Sequence, residues 1–96
     1  MSEGGTVHVL IPTPLRSYTG GAARVESAGN SVAAVLEQLN AQYPGIKERI
    51  CEADGEIRRF VNVFVNGENV RKLSGAATPV KLGDEIGIVP AMAGGR

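Results

Sequence analysis

Apolar and polar residues alternate along Thr6 to Ile11, so Val7, Val9 and Ile11 share one face of a strand and His8 and Leu10 the other. Pro12 and Pro14 end that strand, because proline cannot donate to a ladder, and Leu15 is expected to tuck back under the sheet. Tyr18-Thr19-Gly20-Gly21 supplies a turn whose glycines tolerate positive φ. Ala22 to Ser27 returns as a second strand with Val25 inward, and so close a connection makes the pair an antiparallel hairpin. The period then becomes helical: Val32, Val35, Leu36, Leu39 and Tyr43 form one stripe. Asn30 and Ser31 offer a side-chain oxygen to cap its start, and Pro44-Gly45 closes it. Ile46 to Ile50 reads as one further short helical turn over the edge of the core.

Period two resumes after the acidic, breaker-rich loop Glu52 to Glu56. Arg59 to Asn66 is the third strand, with Val61, Val63 and Val65 facing one way and Phe60, Asn62 and Phe64 the other. Asn66-Gly67 is a hairpin signal, since both residues accept the positive φ of a type I′ turn. Asn69 to Arg71 is expected as a short edge strand and Ser74 to Pro79 as a loop that Val80 and Leu82 pin to the core. Gly83-Asp84 turns into the last strand, Glu85 to Val89, with Ile86 and Ile88 inward and Gly87 and Val89 outward. That strand is expected to stop at Pro90.

One main helix cannot cover both faces of a sheet, so one face packs on it and the other meets solvent or a partner. With the last strand laid beside the first, the order predicts an α+β chain of the β-grasp type, the architecture of ubiquitin: a mixed sheet of four to five strands. The domain is expected to span residues 6–90, with a disordered start at 1–5, a flexible tail at 91–96, no internal repeat and no second domain.

Composition narrows the function classes. Ninety-six residues make one domain with a single core. Lys plus Arg and Asp plus Glu both number 10, so no basic excess points to nucleic acid or a membrane surface. A single cysteine cannot form an internal disulfide, a cysteine-rich zinc site or a four-thiolate iron–sulfur cluster. No apolar run reaches membrane-spanning length and the start lacks the order of a signal peptide, so a cytoplasmic protein is expected.

The chemistry-bearing side chains do not assemble an enzyme. His8 is the only histidine and reads as a polar outward residue. Cys51, with Arg49 nearby, reads as a structural cysteine. Glu52, Asp54 and Glu56 lack the ligand spacing of a calcium loop and read as a solvated charge run. No lysine followed by serine or threonine completes a phosphate loop. No metal site and no bound cofactor are expected.

What remains is a face and a tail. Phe60 and Phe64 project outward from the third strand, and if the last strand is its neighbour, Gly87 and Val89 lie beside Phe64. With Pro90 at its border, that apolar patch reads as a docking surface; shielding of the sheet or self-association is the alternative. Beyond Pro90, Ala91 to Gly95 carries no apolar period to hold the backbone down, and Gly94-Gly95 can enter a slot too narrow for any other dipeptide. A domain with such an arm suits presentation of its own carboxyl to another protein's active site. A merely frayed tail is the other reading.

Leu82-Gly83-Asp84-Glu85-Ile86 running into Val89-Pro90-Ala91-Met92-Ala93-Gly94-Gly95 resembles the C-terminal signature of the ThiS/MoaD ubiquitin-like sulfur carriers. The resemblance covers almost the whole chain. Phe60-Val61-Asn62-Val63-Phe64-Val65-Asn66, Val9-Leu10-Ile11-Pro12-Thr13, Leu15-Arg16 and Thr19-Gly20-Gly21 are most similar to the CysO branch, which serves cysteine synthesis. The resemblance implies that Gly95 is adenylated by a MoeB/ThiF-like enzyme using ATP and converted by a sulfide source to a thiocarboxylate. Met92, Ala93 and Gly94 would thread into that enzyme, and Phe60, Phe64, Gly87, Val89 and Pro90 would form the docking patch. A cysteine synthase-like or other acceptor would take the sulfur, and the chain itself would be a cosubstrate, not an enzyme. The chain departs from the pattern in ending Gly-Gly-Arg: with Arg96 attached, Gly95 is an amide with no free carboxylate. The resemblance implies removal of Arg96 by a JAMM-type metallopeptidase; an arginine foreign to the natural chain, or a carrier that has lost the chemistry, are the alternatives. A modifier conjugated to lysines and a passive β-grasp interaction module remain open beside the carrier.

Overall fold

In a computed structural model that describes residues 5–90, the alternating segments close into one sheet. β1 (Gly5–Leu10) pairs antiparallel with β2 (Arg24–Gly29), and β5 (Glu85–Pro90) lies parallel to β1. β5 in turn pairs antiparallel with β3 (Val61–Val65), and the two-residue β4 (Glu68–Asn69) closes the far edge. The spatial order is β2-β1-β5-β3-β4, a five-stranded mixed sheet. The expected β-grasp is therefore the observed architecture, with the last strand at its centre.

The sequence dictates this through period-two burial. Val7, Val9, Val25, Val61, Val63, Val65, Ile86 and Ile88 are all buried on the inner face, where α1 (Val32–Gln42) covers them with Val32, Val35, Leu36 and Leu39. Burying each such side chain contributes about 1.5–3 kcal/mol. Ser31 caps α1, its Oγ accepting from the Ala34 N–H at 3.1 Å. Helix and hairpin are locked by a polar stitch: buried Ser27 donates its hydroxyl to the Val35 carbonyl at 3.0 Å. The extra helical turn over the core edge is α2 (Ile46–Ile50), with Ile46 and Ile50 fully buried.

Element boundaries shift where side chains compete with the ladder. β2 starts at Arg24, not Ala22, because a 3-10 helix fills Thr13–Thr19 and the Thr19 hydroxyl donates to the Ala22 carbonyl at 2.8 Å. β3 starts at Val61, not Arg59: the Val61 N–H donates back to the Arg58 carbonyl at 3.0 Å, so Arg58 to Phe60 turn before the strand begins. The edge strand is Glu68–Asn69, not 69–71, because the Asn69 side chain accepts from the Arg71 N–H and caps a 3-10 turn at Val70–Lys72. Val80 pins the loop before β5, but Leu82 does not: it is 73% exposed. β5 includes Pro90, which stands opposite Val61 as the strand's last residue. At the other end of the chain Gly5 already belongs to β1, opposite Gly29. The disorder expected over residues 1–4 and the flexible tail expected over 91–96 lie outside the described residues.

Candidate functional site

Among the described residues, no layer covers the sheet face turned away from α1. Its centre is a single row across all five strands: Arg24 opposite Leu10, Leu10 beside Gly87, Gly87 opposite Phe64, and Phe64 opposite Asn69. Val89 lies on the same face two residues further along β5, opposite Asn62 and diagonal to Phe64. Val89 is 50% exposed and Leu10 38%, and Phe64 is half-buried on the far side of β5 from Leu10. The apolar strip is bordered by polar and charged side chains. Arg24 reaches Glu85 at 4.0 Å, and His8 Nε2 lies 3.6 Å from Glu26. On the opposite border, Asn62 Oδ1 accepts from Asn69 Nδ2 at 3.3 Å and from Arg71 Nε at 3.4 Å.

Of the residues assigned to docking from the sequence, Phe64, Gly87 and Val89 fall on the outer face of β3 and β5 at the register expected of neighbouring strands, whereas Pro90, opposite buried Val61, has the inward phase of Ile86 and Ile88. Phe60 does not share that row. It sits in the turn before β3, 58% exposed, its ring 5.7 Å from the Arg59 guanidinium carbon. Leu10 belongs to the strip although the sequence reading gave it no role. The signal was available in the outward phase of Leu10 and in the β1–β5 adjacency, which together set it against Gly87. Met92, Ala93, Gly94, Gly95 and Arg96, to which the resemblance assigned threading, the thiocarboxylate and the removable residue, lie outside the described residues.

Two further groups matter for geometry. Arg71 Nη2 donates to the carbonyls of Arg58 at 2.7 Å, Arg59 at 3.2 Å and Val61 at 2.6 Å, binding the turn that carries Phe60 to the edge of the sheet. Asp84, in the Gly-Asp-Glu stretch, accepts from Asn66 Nδ2 at 3.0 Å and from the Lys81 N–H at 2.9 Å, fixing the point from which β5 starts. Cys51 is buried, and burial pushes its thiol above the usual range against the pull of the Lys47 ammonium, so a thiolate is disfavoured there. Among the described residues no group of three or more His, Cys, Asp or Glu is gathered to hold a metal ion, and no helix is long and apolar enough to cross a membrane.

A five-stranded mixed sheet with the last strand at its centre, covered by a helix on one face and bare on the other among the described residues, defines a ubiquitin-like β-grasp protein. The ThiS family matches residues 9–95, and the chain belongs to that family. It is 46% identical over 91 residues to the sulfur carrier protein CysO of Mycobacterium tuberculosis and of Mycobacterium bovis, a match covering 93% of this chain and 98% of theirs. It superposes with a TM-score of 0.87 on a chain from the crystal structure of the Amycolatopsis orientalis BexX/CysO complex, at 41% identity over 90% of this chain and 96% of that one. The small archaeal modifier protein 1 of Methanosarcina acetivorans is 32% identical with a TM-score of 0.82, covering 96% of this chain and 98% of the other.

Proposed function

We propose that this chain is a sulfur carrier whose working group is the carboxylate of Gly95, exposed by removal of Arg96. The observation that carries the reading is the end-to-end likeness to sulfur carrier proteins: 46% identity across 93% of the chain, with the family match running through Gly94-Gly95. The chemistry follows from what a carboxylate lacks. It is a poor electrophile, so activation comes first: one oxygen attacks the α-phosphorus of ATP, pyrophosphate leaves, and Gly95 becomes a mixed anhydride with AMP. A hydrosulfide equivalent then attacks the acyl carbon, AMP departs with the electron pair of the C–O bond, and the tail ends in a thiocarboxylate. Its soft nucleophilic sulfur can be delivered to an acceptor without free sulfide being released.

Arg96 blocks the first step, because an amide oxygen has no charge to attack phosphorus. A metallopeptidase of the JAMM type suits the trimming: water adds across the Gly95–Arg96 bond and free arginine leaves. A MoeB/ThiF-like enzyme binds ATP and supplies the active site; this chain supplies the carboxylate, the threading segment 92–94 and the docking strip of Leu10, Phe64, Gly87 and Val89, with Pro90 at the strip's end. Phe60 is placed at its margin. A cysteine synthase-like enzyme is the acceptor favoured by the likeness to CysO, and the setting is the cytoplasm, where ATP is made available.

The likeness to a small archaeal modifier protein favours a second reading, in which the activated Gly95 is transferred to lysine amines of other proteins. Incubation of the trimmed chain with the adenylating enzyme and ATP, with sulfide or with a lysine-bearing cell extract, separates the two. The carrier reading predicts sulfur on the chain and no ladder of higher-mass conjugates; conjugates without sulfur would replace it with the modifier.

A further inference from the structure

Gly87 holds the centre of the bare face, and nothing in the fold asks for glycine there. Its φ is outside the left-handed region, and a Cβ at this position would meet only the Phe64 Cβ at 4.0 Å, an ordinary contact. Gly29 shows the contrast: a Cβ there would lie 2.8 Å from the Val35 nitrogen, so the fold itself requires that glycine. Glycine weakens a strand interior, both by its freedom in the unfolded chain and by leaving nothing to pack. At position 87 the omission leaves a notch, floored by the β5 backbone and walled by Leu10 on one side and Phe64 on the other.

We propose that this notch receives an aliphatic side chain of the adenylating enzyme, which makes Gly87 a specificity-determining residue of the docking face. The assignment rests on the carrier reading. Chain length identifies the occupant. β5 ends at Pro90 and Gly95 lies five residues on, so the carboxylate reaches at most about 17 Å from the sheet even when fully extended. An enzyme that takes Gly95 into its active site therefore has its own surface against the outer end of β5. Gly87 lies only three residues back along the same strand, about 10 Å. The walls are hydrocarbon and aromatic, so the matching group is apolar, and it buries surface that is wet in the free chain.

The test is equilibrium binding of the full chain to the ThiF/MoeB-type adenylating enzyme of the same organism, read by calorimetry beside the melting temperature of each variant. Gly87→Ala and Gly87→Val fill the notch from inside. They are expected to keep the melting temperature or raise it by roughly 2–6 °C. Binding is expected to weaken in order of size, with Val ten-fold or more weaker than glycine. Val89→Asp, on the exposed strip outside the notch, tests the face itself and is expected to weaken binding at least as much. If Val89→Asp weakens binding while Gly87→Val binds within two-fold of the parent, the notch is overturned and the docking face stands. A melting temperature lowered by both Gly87 variants overturns it too, since the glycine then serves the fold. If neither the parent chain nor Val89→Asp distinguishes the enzyme from buffer, the docking face fails and the notch with it. A dimer of the free chain that Gly87→Val dissociates would give the notch to a second copy and overturn the assignment.

Discussion

Asn66 Nδ2 donates to Asp84 Oδ1 at 3.0 Å, which ties the β3–β4 turn to the residue that launches β5. The link is reciprocal, because Asn66 Oδ1 accepts from the Glu85 N–H at 2.9 Å while the other Asp84 oxygen accepts from the Lys81 N–H at 2.9 Å. Asn66 takes part from the left-handed region, at φ 51°, where asparagine is tolerated better than most residues. Burial works to raise the Asp84 pKa, but the hydrogen bonds from Asn66 and the Lys81 N–H, with the Lys81 charge, outweigh it and hold the carboxyl below its ordinary value.

That shift fixes the sign of a pH dependence. A carboxyl whose folded pKa is lowered contributes stability that is fully present above its unfolded pKa and lost as pH falls through the folded one. The protein is expected to lose stability below about pH 4, and Asp84→Asn is expected to flatten that acid limb. The amide offers one acceptor where two donors converge, so the variant should also cost about 1–2 kcal/mol at neutral pH. Urea unfolding at pH 7 and pH 3 reads both effects; an acid limb as steep in Asp84→Asn as in the parent would remove Asp84 as its source.

Gly29, the last residue of β2, packs close against the start of α1. A methyl there would lie 2.8 Å from the Val35 nitrogen and 2.9 Å from Ala34 atoms, with backbone that cannot yield. Gly29→Ala should destabilise by about 2 kcal/mol and lower the melting temperature by about 8 °C or more. Thermal denaturation followed by circular dichroism checks this, and an unchanged midpoint would mean the helix start can move aside.

Arg71 gathers the carbonyls of Arg58, Arg59 and Val61 with one guanidinium nitrogen. A lysine ammonium is too compact to reproduce a planar fork that also reaches Asn62. Arg71→Lys and Arg71→Ala should each cost about 1 kcal/mol and free the turn carrying Phe60. Amide hydrogen exchange is the measurement: the Val61 N–H, bonded to the Arg58 carbonyl, should exchange faster in both variants while Val63 in mid-strand does not change. Equal exchange at Val61 in parent and variants would contradict a clamp.

Much of the fold was legible because period-two and period-3.6 burial are local. Val7, Val9, Val61, Val63, Ile86 and Ile88 announce the inner face one by one, and Ser31 announces the helix start. Strand ends were less legible, because they are settled by bonds between distant or non-adjacent groups: Thr19 to the Ala22 carbonyl, Asn69 to the Arg71 N–H, Arg71 to three carbonyls far back in the chain. Phe60 has the phase of an outward strand residue in the pattern, but the Val61–Arg58 bond and the Arg71 contacts hold it in a turn before the ladder begins. Leu82 has the chemistry of a core residue and yet stands exposed, which pattern alone does not reveal. In the apolar strip proposed for docking, Phe64, Gly87 and Val89 follow from pairing β3 with β5, whereas Leu10 needed the parallel β1–β5 register as well.

The most direct measurement is the intact mass of two chains, one ending at Gly95 and one retaining Arg96, after incubation with the adenylating enzyme, ATP and sulfide. The account predicts that the Gly95 chain exchanges one oxygen for one sulfur and that the Arg96 chain keeps its mass until a peptidase removes the arginine. A Gly95 chain that never gains sulfur, under conditions where the same enzyme activates another carrier, would contradict it.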